Sequence, residues 1–327
     1  MQRITLDQFR MARQDFDRRV GETPDIDRFC SSSYWILPAL DALFPNHQGW
    51  VGKSTASDGY IALAKGSHPR IGNYLQPMEA SWGLAGPLVG AQVEILVDEF
   101  AAELRRQHDE WDMLFLSGIF EGSLQFQHLV RAFRLEYTVG VGPSMSRHVA
   151  SLEGGFDGYF SRRSSKFRSN MRRARRKAEE AGIRTEYLTP SSETDTDALF
   201  ERILNVERNS WKAQNNSGIA TGPMRDFYEQ MVPMLTDDGA LRVVFVELDG
   251  SDIAYCFGGL FESLYRGLQL SYHDDYRDYS AGNLAQLAML EGLCDEEIEI
   301  YDMGQAMDYK SRWADEERES IALIVRK

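Results

Sequence analysis

Residues 241–272, LRVVFVELDGSDIAYCFGGLFESLYRGLQLSY, decide how the second half of this chain is read. The run Val243-Val244-Phe245-Val246 is β-branched or aromatic, and such side chains pack well on a pleated surface. Asp249-Gly250-Ser251-Asp252 follows, a hairpin signal because Asp and Gly tolerate the backbone that tight turns need. Glu262-Ser263 leaves room only for a second tight turn. The stretch is therefore predicted as three consecutive antiparallel strands, Leu241–Leu248, Ile253–Leu260 and Leu264–Tyr272.

Outward from these strands, the spacing predicts a helix from Ala281 to Cys294, a strand Ile298–Met303 and a last strand Ser320–Val325. Upstream, Thr221-Gly222-Pro223 opens a helix, since Pro fits its first turn. Another helix runs from the N-cap candidates of Ser191–Asp197 through Lys212, with Leu199, Ile203, Val206 and Ser210 on one stripe. Arg184–Leu188 reads as a strand. Phe160, Phe167, Met171, Ala174, Ala178 and Ala181 share one helical face, and Gly182 stops that helix. The first half is predicted as a helix over Met1–Val20, strands Gly49–Gly52 and Tyr60–Ala64, and a helix Val93–Gln107. A strand Trp111–Ser117, a helix Leu124–Phe133 and a strand Leu135–Val141 complete it, with His68–Gly90 too irregular for one element. The fold class is α/β, in two domains, 1–150 and 151–327. The last strand either closes the second domain or returns to the first.

With 327 residues, 43% apolar and 26% charged, the chain can bury sizeable cores. No run of about 18 apolar residues predicts a membrane span, and the first twenty residues lack the apolar centre of a signal peptide. Three cysteines, Cys30, Cys256 and Cys294, are odd in number and far apart, as suits a reducing cytoplasm. The six histidines show no ligand spacing, so no metal is expected. Charge is very uneven. Nine of the sixteen residues from Arg162 to Lys177 are basic in a chain of net charge −14. Such a run is most often a solvated helix face. It could also dock tRNA or another polyanion, or hold the phosphates of a small ligand. Overall acidity and the lack of stacking aromatics in the run argue against general nucleic-acid binding.

Two helices, three meandering strands, a helix and two final strands is the element order of the GNAT acyltransferase fold. Four segments resemble the CelD/BcsL-type acetyltransferases, a GNAT branch related to the Fem peptidyltransferases. They are the basic helix Tyr159–Lys177; Glu207-Arg208-Asn209-Ser210-Trp211-Lys212; Ser280-Ala281-Gly282-Asn283-Leu284; and Tyr301-Asp302-Met303-Gly304 with Asp308-Tyr309-Lys310-Ser311-Arg312-Trp313. Trp82-Gly83-Leu84 before Pro87-Leu88 resembles the family's N-terminal half, so two tandem GNAT-like domains are implied, the first degenerate.

The resemblance implies acyl-CoA, most simply acetyl-CoA, as cosubstrate, its pyrophosphate on backbone N–H groups at a helix N-terminus. Arg277, Ser280, Ala281, Gly282 and Asn283 fit that cradle, except that Ser280 replaces the usual first glycine; an ordinary Ser-capped helix is the plainer reading. Glu207, four residues before Trp211, is a candidate base if the indole raises its carboxyl, or a surface Glu beside a core Trp. His273, just past the third strand, is a second candidate base, or simply solvated. Asp302 ends a core strand and needs partners, with Lys310 or Arg312 nearest in sequence. Tyr309 is the candidate proton donor to a departing thiolate. Arg168, Trp211, Lys212, Asp302, Lys310 and Arg312 are the substrate-binding candidates. The expected activity is acyl transfer to an amine of a small molecule, saccharide or peptide by direct attack. Its rivals are an aminoacyl-tRNA-dependent Fem-like transferase and a non-catalytic saccharide- or peptide-binding protein.

Overall fold

The computed structural model describes residues 1–214 and 218–327, with the side chains of Trp211 and Gln214 outside that description. The chain divides into two compact units. One comprises Met1–Ser146 with Glu319–Lys327, and the other Arg147–Arg318.

The first unit runs β1 (Gln2–Ile4), α1 (Leu6–Met11), α2 (Arg13–Glu22), α3 (Arg28–Ser31), α4 (Ser33–Leu43), β2 (Gln48–Lys53), β3 (Tyr60–His68) and β4 (Gly72–Pro77). It continues through β5 (Leu88–Val89), α5 (Val93–Arg106), β6 (Met113–Ile119), α6 (Leu124–Phe133) and into β7 (Thr138–Ser151). The second unit holds α7 (Gly155–Ser161), α8 (Ser165–Glu180), β8 (Arg184–Leu188), α9 (Thr196–Arg208), α10 (Trp211–Gln214) and α11 (Pro223–Asp237). Then come β9 (Leu241–Leu248), β10 (Ser251–Phe261), β11 (Leu264–Tyr272), α12 (Ala281–Asp295), β12 (Ile300–Gln305) and the start of β13 (Glu316–Arg326).

In the second unit the sheet order is β8-β9-β10-β11-β12-β7, antiparallel except between β11 and β12. The β9–β10 turn works as its sequence demands. Asp249 and Gly250 both take positive φ, which lets two residues reverse the chain between Leu248 and Ser251. The first unit repeats this order, with β2, β3 and β4 as the meander, α5 as the helix and β6 returning parallel to β4. The α/β expectation holds, with a mixed sheet flanked by helices.

The parallel pair in each unit is short. Strands β11 and β12 are paired only from Leu264↔Ile300 to Arg266↔Asp302 and then part. In the first unit β4 and β6 pair at Tyr74↔Met113 and Leu75↔Leu114. There the segment after β4 closes against β6. Gly118 donates its N–H to the Gly83 carbonyl at 3.1 Å, and a Cβ on Gly118 would lie 2.5 Å from the Ala85 backbone. Buried Glu79 accepts the Trp82 N–H at 2.6 Å and holds that segment down.

Helix α8 buries Phe167, Met171, Ala174 and Ala178, the face its spacing predicts, against a core that includes α12 and Trp313. Each large apolar side chain buried this way contributes roughly 1.5–3 kcal/mol. Several boundaries differ from expectation. The N-terminal helix is split, because residues 2–4 pair with β2 and Thr5 starts α1 with a capping box to Gln8. The helix read from Phe160 to Ala181 breaks at Arg162–Ser164, where the Ser164 hydroxyl caps Phe167 N–H. Strand β4 formed within the stretch judged too irregular, and β7 runs ten residues beyond the expected Val141.

Candidate active site

Because β11 and β12 part after Arg266 and Asp302, their facing backbone groups lose ladder partners, and a buried group left so is costly. Two lysines answer this. Lys212 Nζ, from α10, donates to the Leu270 carbonyl of β11 and to Gln269 Oε1, both at 2.8 Å. Lys310 Nζ, from the segment after β12, donates to the carbonyls of Met303 at 2.7 Å and Gln305 at 3.0 Å. Desolvation lowers both amines, and Arg266 helps to bring Lys310 down to about 8. Between them lies a cavity of about 710 Å³. Leu268, Met303, Met307 and Trp313 give it apolar walls, and Gln269, Asn283 and Gln286 give it polar ones. Its charged lining among the described residues is Lys212, Arg277, Lys310 and Arg312, with no carboxylate.

The start of α12 forms one wall. Ser280 sits in the left-handed region, φ 56° and ψ 37°, a conformation that glycine adopts without the cost a Cβ brings. Its hydroxyl does not cap the helix. Instead its carbonyl accepts both the Asn283 N–H at 2.9 Å and the Leu284 N–H at 3.1 Å. The N–H groups of Ala281 and Gly282 make no backbone bond among the described residues. Gly282 is closely packed, since a Cβ there would lie 3.0 Å from the Tyr272 ring and 3.2 Å from Leu270. Arg277 also lines the cavity, but its guanidinium is paired with Asp274 at 2.6 Å. Tyr309 stands at the rim, 49% exposed. The surrounding protein still raises its phenol above the ordinary value, desolvation first and the Cys256 thiol second. Cys256 lines the floor, and burial pushes its thiol up to about 12, so it is no nucleophile at neutral pH.

Other expected residues lie elsewhere. Asp302 is fully buried, but its partners are Arg147 and Arg266 (3.0 Å), with the Gly304 N–H at 2.8 Å. Neither Lys310 nor Arg312 pairs with it, because Lys310 is spent on backbone carbonyls. The triad instead locks the point where β11 and β12 divide. Glu207 is also fully buried, accepting from Tyr255 Oη at 2.8 Å and from the Ile219 N–H at 3.1 Å. Those bonds fasten the 218–219 segment to β10 and leave Glu207 outside the cavity lining. The Trp211 side chain expected beside it lies outside the described residues. His273 Nδ1 accepts from the Asp275 N–H at 3.3 Å, its ring lies edge-on to Tyr276, and it does not line the cavity. Arg168 donates to the carbonyls of Ser161 at 2.7 Å and Arg163 at 2.8 Å, closing the end of α7. Arg147, Arg266, Gln269 and Gln286 carried no local signal, for strand pairing and helix docking alone bring them here.

Residues 165–311 match the acetyltransferase (GNAT) domain model, and the cavity lies within that match except for Arg312 and Trp313. The matched residues all lie in the second unit, which has the GNAT-type fold. The whole chain is similar in fold to FemX, with 11% identity, 98% of this chain and 97% of that one covered, and a TM-score of 0.69. It is also similar to a conserved protein of unknown function from Bacteroides thetaiotaomicron, at 12% identity, 96% and 97% coverage and 0.64. A third likeness is to L-PGS from Bacillus licheniformis, at 12% identity, 96% and 91% coverage and 0.58. At these identities the likeness is one of fold. No curated protein matches the sequence.

Proposed function

We propose that this protein is an N-acyltransferase that moves an acyl group, acetyl in the simplest case, from acyl-CoA to an amine by direct attack. One observation carries the reading: the cavity opens where β11 and β12 part, beside the start of α12, inside the GNAT-matched segment. The residues fit such a donor. The Ala281 and Gly282 N–H groups and the helix dipole suit an anion, and no carboxylate among the described lining residues opposes a phosphorylated one. The thioester supplies an activated carbonyl; the protein orients it and stabilises charge. The C–N bond forms as the C–S bond breaks, the nitrogen gives up its proton to solvent at the open rim, and Tyr309 supplies one to the departing thiolate. Lys212 and Lys310 keep the two strands apart, and Asp302 positions the division through Arg147 and Arg266. Glu207 and His273 act structurally in this reading. The first unit, with its equivalent gap filled by its own chain, is a degenerate copy. Dependence on an intracellular thioester puts the reaction in the cytoplasm.

Thermal unfolding with donor candidates tests this, because a ligand of the native state at about 100 times its Kd adds roughly 2.7 kcal/mol. Acetyl-CoA should raise the midpoint and bulk tRNA should not. The reverse pattern would move the donor to aminoacyl-tRNA, and no response to either would favour a non-catalytic binding protein.

A further inference from the structure

Within the acyl-CoA reading, the cavity's cations are not equivalent. Lys212 and Lys310 are held by the carbonyls of the parting strands, and Arg277 is paired with Asp274. Arg312 alone among the described lining cations has neither a hydrogen bond nor an ion pair from its side chain. The segment that carries it is nevertheless well fixed. On one side Lys310 is anchored through Nζ. On the other, Trp313 is 3% exposed and packs edge-on to Phe167 at 4.8 Å, its N–H bonded to the Lys310 carbonyl and its carbonyl to Tyr159 Oη. Arg312 itself is exposed, so a fixed segment brings an unpaired guanidinium to the cavity, and its planar donors match carboxylate or phosphate oxygens in pairs.

No carboxylate among the described lining residues would pair with a second cation. The donor's phosphates have their own wall at α12, which follows β11, whereas Arg312 comes from the segment after β12. We infer that the acceptor amine carries anionic oxygens of its own, a carboxylate or a phosphate, and that Arg312 grips them. Polyamines and other purely cationic amines would find cations and no carboxylate among the described lining residues. Arg312 is then the residue that selects the acceptor, while the donor site is left untouched by its loss.

The experiment uses the full-length protein saturated with CoA, so that the donor wall is filled. Inorganic phosphate and acetate are titrated separately against the wild type, Arg312→Gln and Arg312→Lys, with the thermal midpoint as readout. Salts stabilise proteins generally by exclusion, so only the part of the shift lost in Arg312→Gln counts. We expect such a part for one anion at least, retained partly in Arg312→Lys, and the anion with the larger loss identifies the chemistry. Equal shifts in wild type and Arg312→Gln overturn the proposal. Turnover with acetyl-CoA adds a second arm, using glucosamine against glucosamine 6-phosphate and amino acids against their amides. The anionic member should be favoured by about tenfold in kcat/KM, and Arg312→Gln should erase the preference through KM with kcat retained. A preference for the uncharged members, or a loss of CoA affinity in Arg312→Gln, also overturns it. The binding arm decides whether or not any of these acceptors reacts. Failure of CoA alone to shift the midpoint would be a failure of the donor reading, seen separately.

Discussion

Glu79 is fully buried, and burial raises its carboxyl above the ordinary value of 4.5 against the opposing pull of the Trp82, Gly83 and Leu84 N–H groups and Trp35. A group raised in the folded state contributes stability that is fully present below its unfolded pKa and lost as pH rises through the folded one. Glu79→Gln keeps an acceptor for Trp82 without the charge. We expect it to gain on the wild type in urea unfolding as pH rises from about 4.5, whereas Glu79→Ala loses roughly 2–4 kcal/mol at low pH and that deficit narrows as pH rises, since Ala does not titrate either. A constant difference between wild type and Gln across that range would mean that Glu79 does not change ionisation on folding. Tyr309 is the residue-scale test of the chemistry. Tyr309→Phe should leave the fold and CoA binding intact and lower kcat by at least ~10-fold, since only a group needed as the thiolate leaves is removed. Full activity would return Tyr309 to a packing role at the rim.

At the scale of elements, the start of α12 is where backbone geometry and function meet. Gly282 has little room, with Tyr272 and Leu270 within about a Cβ contact of it. Gly282→Asp would put both bulk and negative charge beside the Ala281 and Gly282 N–H groups. CoA affinity should fall at least ~10-fold, about 1.4 kcal/mol, measured by calorimetry on variant confirmed as folded by circular dichroism. Undiminished affinity would remove the anion site from this helix. This element was legible beforehand because its signals are local: Tyr-Ser-Ala-Gly after a strand, and apolar spacing to Cys294. The three strands before it were legible for the same reason, being β-branched runs between two-residue turns. The partners of Asp302 were not. Arg147 is 155 residues away in sequence, and only the β7–β12 pairing brings it beside the carboxylate. The surroundings of Glu207 were hidden for a related cause. Its motif was visible, but the Tyr255 and Ile219 bonds that consume it come from β10 and a loop.

For the whole molecule the question is what the basic run does in a chain of net charge −14. Five of its nine basic residues are already committed. Arg162 bonds the Ser151 and Glu153 carbonyls, Arg163 meets Asp315 and the Ala314 carbonyl, and Arg168 closes α7. Arg175 pairs with Glu291, and Lys177 reaches the Asp278 carbonyl at 2.8 Å. What remains on the outer face of α8 is Lys166, Arg172, Arg173 and Arg176, with Arg172 lying over the Phe160 ring. That is a small footprint for a polymer whose binding grows with each phosphate neutralised. Replacing Arg172, Arg173 and Arg176 together by Gln should therefore leave acyl transfer from acetyl-CoA within about twofold and the thermal midpoint nearly unchanged, as exposed charges contribute little. Arg163→Gln should instead destabilise by roughly 1–3 kcal/mol, because its buried guanidinium bonds would be lost. If the triple variant loses a tRNA shift that the wild type shows at physiological salt, with a salt slope flatter by about one unit per arginine, the outer face of α8 is a nucleic-acid surface and the acyl-CoA assignment falls with it.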